Sequence, residues 1–317
     1  MNNTNNAKSF DVLAVGELLI DLIGTNKATS LEDTFAFERF QGGSPANFAR
    51  NLSKLGNRVK LVASIGEDGL GRFLQSQVVA LSMDCRDVKM RPNFPTTIIT
   101  VAKTDGTPDF QAYRGADTQI LPDQLQPKTL QQTRIFHTTC FALSKNPAQK
   151  SIMEAAQIAA SHGCQLSIDI NYAPEIWENR QEAQDIIARY CSYGALVKLS
   201  IDDWERTYQR PDEAPETIIE FIHNLGAKEV CLTLGSEGSY VSKGGEPVFV
   251  SARKIEVADV TGAGDAFWSG YLTAWLDGHG PETCALFGRS IAEIKLQHIG
   301  PLVEDIDKQL IYADLLK

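Results

Sequence analysis

A glycine-rich turn stands directly before a helical pattern near the carboxyl end of the chain. It reads DVTGAGD over residues 259–265, and apolar residues recur at helical spacing from Phe267 to Trp275. The first N–H groups of a helix have no partner within it, and the helix dipole adds positive charge at the same end. Glycines let an anion approach the backbone closely. The segment therefore predicts an anion site formed by the backbone of Gly262, Ala263 and Gly264.

Asp265 stands in the first turn of that predicted helix, where a carboxylate has two interpretations. In the first, it caps the helix and favours its dipole. In the second, it accepts the proton of a hydroxyl that attacks a phosphoryl group, while the anion site holds the transferred charge. The spacing alone leaves both interpretations open.

A second glycine cluster, Gly42-Gly43, opens another helical pattern. We expect Ser44 to be the helix cap and Pro45 to take the first helical position, while Gly56 ends the run. One interpretation of the cluster is a plain strand-to-helix turn. The other is a surface that a polar ligand approaches closely, with the amide of Asn47 as donor and acceptor.

Strand and helix patterns alternate along most of the chain, which predicts an α/β fold with a mainly parallel sheet covered by helices on both faces. Residues 96–114 instead read as a hairpin set apart from that sheet, with a turn at Asp105-Gly106. The predicted strands are 12–16 (extended by 18–20), 59–65, 135–141, 165–170, 195–199 and 229–234. The predicted helices are 44–55, 70–82, 147–162, 181–190, 214–225, 263–277, 282–297 and 305–316.

The composition favours a protein that acts on small molecules. Among 317 residues there are 30 Lys+Arg against 40 Asp+Glu, a net charge of −10, which disfavours DNA or RNA as a partner. The longest apolar stretches are only strand-sized, so no membrane span is expected. The six cysteines have no metal-ligand spacing and predict buried thiols in a reducing cytoplasm. The polar segment 1–9 is expected to be a disordered tail.

Several well-known motifs are missing from the sequence. There is no G-x-x-x-x-G-K-[ST], so any phosphate chemistry is not of the P-loop kind. The first strand is not followed by G-x-G-x-x-G, which weakens a dehydrogenase interpretation.

The two glycine-rich segments together resemble the signatures of a known family. Residues 42–49, with Gly56 and Gly66 beyond them, resemble the first signature of the PfkB, or ribokinase-like, carbohydrate kinases. Residues 259–265, followed by Ser269-Gly270, resemble the second. The resemblance extends from Val12 to about Gly300. It implies one ribokinase-like three-layer α/β/α domain over 1–317, with a small β-sheet lid formed by about 17–41 and 95–118.

The resemblance also implies roles for matched residues. Asp265 is the implied catalytic base, and Gly262, Ala263 and Gly264 form the implied anion hole. The implied sugar contacts are Asp21, Gly42, Gly43, Asn47, Arg114 and Asp169, and the implied nucleotide contacts are Thr233, Gly235 and Gly238. The implied cofactors are ATP with Mg²⁺, the latter at Asp203, and a monovalent cation such as K⁺ near Asp259 and Thr261. The family often dimerises through the lid, which implies a homodimer here.

Two of these residues have competing interpretations. Arg114 either reaches from the lid toward the sugar or is a solvated arginine on an exposed hairpin. Asp203 stands where the family has a longer Glu, so its Mg²⁺ role competes with that of an exposed acid, like Asp202, at a helix start.

The resemblance is strongest to the fructokinase and 2-keto-3-deoxygluconate kinase branch, because of GELLID over 16–21, Tyr113-Arg114 and DINY over 169–172. Ala173 stands where that branch usually has an arginine, so a carboxylate substrate lacks a bidentate partner. We therefore expect a fructokinase that forms fructose 6-phosphate. A 2-keto-3-deoxygluconate kinase and a nucleoside kinase are alternatives within the family. An alternative of another class is a catalytically silent sugar-binding regulator.

Overall fold

The structure is a computed structural model that describes residues 8–104, 109–298, 300–302 and 304–315. Most of the predicted tail over 1–9, and the whole Asp105-Gly106 turn, lie outside the described residues. At the start of the described chain, Lys8 donates to the carbonyl of Thr133 and Ser9 to the side chain of Gln132.

A large sheet forms the middle layer. Its strands, in chain order, are β1 (Phe10–Val15), β4 (Val59–Gly66), β5 (Asp84–Arg91), β8 (Thr133–Thr139), β9 (Gln165–Asp169), β10 (Leu196–Ser200), β11 (Glu229–Thr233), β12 (Gly238–Ser242) and β13 (Val248–Ser251). Across the sheet their order is β13-β12-β11-β10-β9-β8-β1-β4-β5. The strands from β11 to β5 pair in parallel, and β12 and β13 add an antiparallel edge. The predicted parallel sheet is confirmed.

Helices cover both faces of this sheet, because its strands are apolar on both sides and need cover on each. One layer holds α3 (Pro127–Gln131), α4 (Ala148–Ser161), α5 (Arg180–Cys191), α6 (Ile201–Tyr208) and α7 (Pro215–Asn224). The other holds α1 (Ser44–Lys54), α2 (Gly69–Val79), α8 (Ala263–Leu276), α9 (Pro281–Leu296) and α10 (Lys308–Leu315). Each layer buries its own apolar core against the sheet, so the expected three-layer α/β/α fold is confirmed. In the described parts of the chain, no helix has the length and apolar character that crossing a bilayer requires.

A separate small sheet is formed by β2 (Leu19–Lys27), β3 (Phe37–Gly42), β6 (Ile98–Lys103) and β7 (Phe110–Tyr113), in the order β3-β2-β6-β7. The strand β2 pairs antiparallel with β3 and parallel with β6, and β7 returns antiparallel to β6. These strands fall in the two segments for which the sequence predicts a lid, with Gly42 one residue beyond. We call them the small sheet.

The structure corrects two local predictions and adds three strands that the sequence did not indicate. Residues 18–20 do not extend the first strand, because the chain leaves the large sheet after Val15 and Leu19 begins β2 of the small sheet. Ser44 is not the cap of α1: Gly43 is, and the Ser44 hydroxyl bonds elsewhere. The strands β5, β12 and β13 were not predicted, because their partly exposed residues show no continuous apolar run.

Candidate active site

Polar side chains gather where the parallel strands of the large sheet end. Ligands of open α/β sheets bind in the crevice outside the carboxyl ends of the strands, since adjoining loops diverge there. Here the strand ends and the residues that follow them carry Glu17, Thr139, Asp169, Lys198, Ser200 and Thr233. The amino ends of α1 and α8 meet over the same edge, because Ser44 and Asp265 are hydrogen-bonded.

Asp265 lies in the first turn of α8 and faces the start of α1. The Ser44 hydroxyl donates to its Oδ1 at 2.6 Å, and the Asn47 amide donates to its Oδ2 at 3.4 Å. Both glycine-rich segments of the sequence therefore meet at one carboxylate. The bonds fix the orientation of the Asp265 side chain, which remains partly exposed to the cleft.

The pKa of Asp265 is raised to about 6: burial is the largest cause and the nearby Asp169 adds to it, while the bonds from Ser44 and Asn47 and the charge of Lys198 act in the opposite direction. Burial and the charge of Asp265 likewise raise the pKa of Asp21 to about 7. A carboxylate with a pKa near 6 is ionised at neutral pH and still basic enough to take a proton from a hydroxyl.

The position of Asp21 depends on Gly42, which lies one strand away in β3. A Cβ at Gly42 would lie 2.0 Å from Oδ2 of Asp21, so only glycine leaves room for the carboxylate. Gly43 follows as the cap of α1 and leads to Ser44 and Asn47. The structure thus brings four predicted sugar contacts, Asp21, Gly42, Gly43 and Asn47, together around Asp265.

The amino end of α8 has the geometry of an anion site. Gly262 is the residue before the helix and has a φ of +73°, which glycine adopts without strain. The Ala263 N–H donates to the carbonyl of Val260 at 3.2 Å. Within the described residues, the N–H groups of Gly262 and Gly264 have no protein acceptor. Two of the three predicted donors therefore remain for an anion.

A buried lysine that the sequence reasoning missed lies beneath that helix end. Lys198 of β10 donates to both carboxylate oxygens of Asp169, at 2.9 and 2.8 Å. Its Nζ lies 3.1 Å from where a Cβ of Gly264 would stand. Burial lowers the pKa of Lys198, but the negative charges of Asp169 and Asp203 outweigh the effect of burial. The net pKa of Lys198 lies well above its usual range, so the ammonium stays charged. The structure therefore places Asp169 as the partner of a buried cation, and its contact with a sugar stays a prediction.

Glu17 follows β1 and connects the end of β8 in the large sheet to the start of α1. Its Oε1 accepts the N–H of Ser44 at 3.2 Å, and its Oε2 accepts the hydroxyl of Thr139 at 2.9 Å. Burial raises the pKa of Glu17 to about 8. Glu17 therefore fixes the start of α1, and with it the hydroxyl that orients Asp265.

Arg114 follows β7 and is mostly buried, which corrects the interpretation of a solvated arginine. Its Nε donates to Asp117 at 2.7 Å, its Nη1 donates to Ser144 at 2.8 Å, and its guanidinium lies 4.2 Å from the centre of the Phe141 ring. These contacts hold Arg114 between the small sheet and the loop after β8.

Asp203 lies at the start of α6 and is buried, whereas its neighbour Asp202 is exposed. Its Oδ2 accepts from the Ser200 backbone and hydroxyl, at 2.9 and 2.6 Å, and Ser200 caps the helix in return. Within the described residues, no three His, Cys, Asp or Glu side chains are placed to form a metal site by themselves. The residues fit a Mg²⁺ that is held by one carboxylate together with phosphates and water, the usual pattern for a nucleotide-bound ion.

The predicted nucleotide contacts lie at and after the end of β11. The hydroxyl of Thr233 donates to the carbonyl of Leu199 at 3.4 Å, and Gly235 lies in the turn to β12. Gly238 begins β12 and pairs with Ser251 of β13, so Gly238 also stabilises the hairpin that these two strands form. These residues border the same edge of the sheet as Lys198 and Ser200.

The residues predicted to hold a monovalent cation do not fit one. The Lys295 ammonium, which is buried, donates to the Asp259 carboxylate at 3.2 Å and to the backbone carbonyl of Asp259 at 3.4 Å. The other carboxylate oxygen of Asp259 accepts the N–H of Thr261 at 2.9 Å. A protein cation therefore takes the place where the resemblance implied K⁺.

Sequence reasoning missed Glu17, Ser44 as a partner of Asp265, Lys198 and Lys295. For Lys198 a signal was present: it is a charged residue inside the apolar run Leu196-Val197-Lys198-Leu199 of a buried strand, where it needs a partner. Lys295 gives no such signal, because the last turn of a helix is an ordinary place for lysine.

Comparisons with known proteins agree with this geometry. The description of the pfkB family of carbohydrate kinases matches residues 9–307. The chain is 33% identical to an ATP-dependent 6-phosphofructokinase of Thermoanaerobacterium thermosaccharolyticum, over 98% of this chain and 96% of that protein. It is 27% identical to a 5-dehydro-2-deoxygluconokinase of Bacillus subtilis, over 98% of each.

Solved structures show the same fold. The fructokinase of Halothermothrix orenii superposes with a TM-score of 0.77 at 33% identity, covering 92% of this chain and 100% of that one. The adenosine kinase of Sinorhizobium meliloti superposes with a TM-score of 0.82 at 23% identity, covering 97% and 99%. Both the dehydrogenase and the silent-regulator interpretations lose their support. The chain belongs to the pfkB family of carbohydrate kinases.

Proposed function

We propose that this kinase transfers the γ-phosphoryl group of ATP to fructose, at the 6-hydroxyl. The observation that carries the proposal is the Asp265 carboxylate, held by Ser44 and Asn47 at the amino end of α8. In this arrangement the proton acceptor lies beside the donors that stabilise the transferred charge. The fructokinase and phosphofructokinase names of the relatives at 33% identity support an acceptor of fructose type.

The proposed chemistry assigns a task to each part of the site. Asp265 takes the proton of the attacking hydroxyl, and Asp21 orients the sugar through its hydroxyls. The N–H groups of Gly262 and Gly264, with the ammonium of Lys198 behind them, stabilise negative charge on the transferred group. Asp203 is the residue that would hold a nucleotide-bound Mg²⁺, and the ion would supply positive charge to neutralise the phosphates. The small sheet closes over the sugar and excludes water, which limits hydrolysis of ATP.

The charges around Asp21 favour a neutral acceptor. The carboxyls of Asp21 and Asp265 lie nearest the proposed sugar end, and the negative charge of Asp265, which is ionised at neutral pH, raises the cost of placing another anion there. Arg114, which follows the small sheet, already pairs with Asp117. A phosphate or carboxylate on the acceptor needs a free bidentate partner, and Ala173 supplies none. We therefore rank fructose above fructose 6-phosphate and above a sugar acid.

A panel of acceptors tests the assignment. We expect ADP release from MgATP with fructose, and much less with fructose 6-phosphate, with 5-dehydro-2-deoxygluconate or 2-keto-3-deoxygluconate, and with nucleosides. Fast turnover of fructose 6-phosphate in place of fructose would contradict the assignment and place the chain with the phosphofructokinase relative. Turnover of a sugar acid would show that Ala173 does not exclude a carboxylate.

We further propose a homodimer formed through the small sheet, in the cytoplasm. Around that sheet, Phe35, Phe37 and Tyr113 expose large hydrophobic side chains, which a partner subunit would cover. All six cysteines are free thiols, as expected in a reducing compartment.

A further inference from the structure

A buried ammonium group lies under the loop that leads into the anion site. Lys295 belongs to the last turn of α9, and only 4% of its surface is exposed. Its Nζ lies 3.2 Å from Oδ2 of Asp259, 3.4 Å from the carbonyl oxygen of Asp259 and 3.2 Å from the carbonyl oxygen of His298. An ammonium has three N–H donors, and here three oxygens accept from it.

These oxygens form the type of environment that binds a monovalent metal ion. Backbone carbonyls and a carboxylate are the hard oxygen ligands that replace the hydration shell of an ion such as K⁺. The Lys295 ammonium carries the same single positive charge. Because it is attached to α9, it needs no binding from solution and cannot be exchanged.

The ammonium is connected to the reacting end of α8 by short contacts. Residues 258–264, which we call the anion-site loop, rest on the end of α9, where Leu296 accepts the N–H of Ala258 at 2.8 Å. Asp259 accepts the N–H of Thr261 through one oxygen and that of Gly300 through the other. The Cε of Lys295 lies 4.0 Å from where a Cβ of Gly262 would stand. Lys295 thus sets the position of the backbone whose N–H groups face the anion.

We propose that Lys295 is a built-in substitute for a monovalent cation, and that it positions the anion-site loop so that this kinase needs no K⁺. Lys295 does not touch the reacting atoms in this account; it acts through Asp259 and Gly262. Without the ammonium, the partly buried carboxylate of Asp259 would keep Thr261 and Gly300 as partners but no positive charge, and the loop would need an ion from solution to hold its shape.

The test begins with the unchanged protein. ADP release is measured with the most active sugar of the panel, in buffer whose only monovalent cation is tetramethylammonium, and K⁺, Na⁺ or choline is then added at matched ionic strength. We expect the rate to change by less than about twofold, the size of a general salt effect. An increase that K⁺ alone produces, and that exceeds this salt effect, would overturn the proposal.

The variant Lys295→Met removes the charge and keeps much of the side-chain volume. We expect kcat to fall by about 10- to 100-fold, the loss that small misplacements at a reacting centre produce, with a smaller change in the KM for the sugar. K⁺ or NH₄⁺ should restore part of kcat and raise the melting temperature of the variant, and leave that of the wild type unchanged. The control is Lys308→Met, which removes a partly exposed ammonium that pairs with Asp277 in another part of the molecule.

A Lys295→Met variant with normal kcat and no response to K⁺ would overturn the proposal. The melting measurement needs no sugar, so it stands if fructose proves to be the wrong acceptor. Should the variant not fold, the wild-type titration still decides, because a K⁺ requirement of the unchanged protein contradicts the proposal by itself.

Discussion

At the scale of single residues, the proposed reaction depends on one carboxylate and on the groups that set its proton affinity. Asp265 is ionised above a pH of about 6, and it is the ionised form that accepts a proton. Its folded-state pKa is raised, so the base is lost as the pH falls through 6. We therefore expect kcat/KM to decline about tenfold for each pH unit below 6 and to reach a plateau above it. The pH values 5 and 7 lie about one unit below and above that pKa. A kcat/KM that does not change between them would contradict this role.

The Ser44 hydroxyl gives a sharper form of that prediction. Its bond to Asp265 stabilises the ionised carboxylate and holds the pKa down. In Ser44→Ala the acid limb of the pH profile should move upward by about one unit, the size of a hydrogen bond to a charged group. The control is Ser53→Ala in the same helix, where the hydroxyl bonds the carbonyl of Ser82. A limb that stays in place, or moves downward, would show that Ser44 does not tune the base.

At the scale of elements, the close contact of Gly42 in β3 with Asp21 in β2 positions the Asp21 carboxylate, which we propose binds the sugar. In Gly42→Ala the new methyl group would overlap Oδ2 of Asp21, so the carboxylate must turn away. We expect the KM for the sugar to rise about tenfold, the loss of one good hydrogen bond, and the free energy of unfolding to fall by about 1–3 kcal/mol. Steady-state kinetics and urea denaturation measure the two effects.

Gly69→Ala in α2 is the control, because a Cβ there meets nothing within 4 Å. An unchanged KM would separate Asp21 from sugar binding.

Some of these elements could be predicted from the sequence alone, and others could not. The long apolar runs predicted the parallel strands other than β5, and the glycine-rich turns predicted the starts of α1 and α8, because both signals are local. The local sequence cannot show that Leu19 begins a second sheet, because Val15 and Leu19 are equally apolar. The two residues belong to different sheets only because their strands pair with different distant strands. The ion pair of Lys198 with Asp169, and that of Lys295 with Asp259, join residues far apart in sequence. Motif spacing cannot give such pairings. The family resemblance did assign Asp265 and Asn47 to one sugar site, and in the structure the two side chains are hydrogen-bonded.

At the scale of the whole molecule, the small sheet has two proposed tasks, to cover the sugar and to bind a second copy. We expect light scattering to give twice the chain mass of 34.8 kDa. Phe35 is 83% exposed, and Phe35→Arg should yield a monomer, because a charge at a dry contact opposes association. Phe249→Arg, at the edge strand β13 of the large sheet, should leave the mass unchanged. A wild-type protein that is monomeric would contradict the dimer and leave the kinase assignment intact.

ADP release from MgATP by wild-type protein and by Asp265→Asn tests most directly whether Asp265 is the base of this sugar kinase. Asparagine keeps the size of the side chain and cannot accept the proton. We expect the variant to keep its circular dichroism spectrum and ATP affinity, while turnover falls about 10²–10⁴-fold, as is typical when a general base is lost. A folded variant that turns over at the wild-type rate would contradict this role of Asp265.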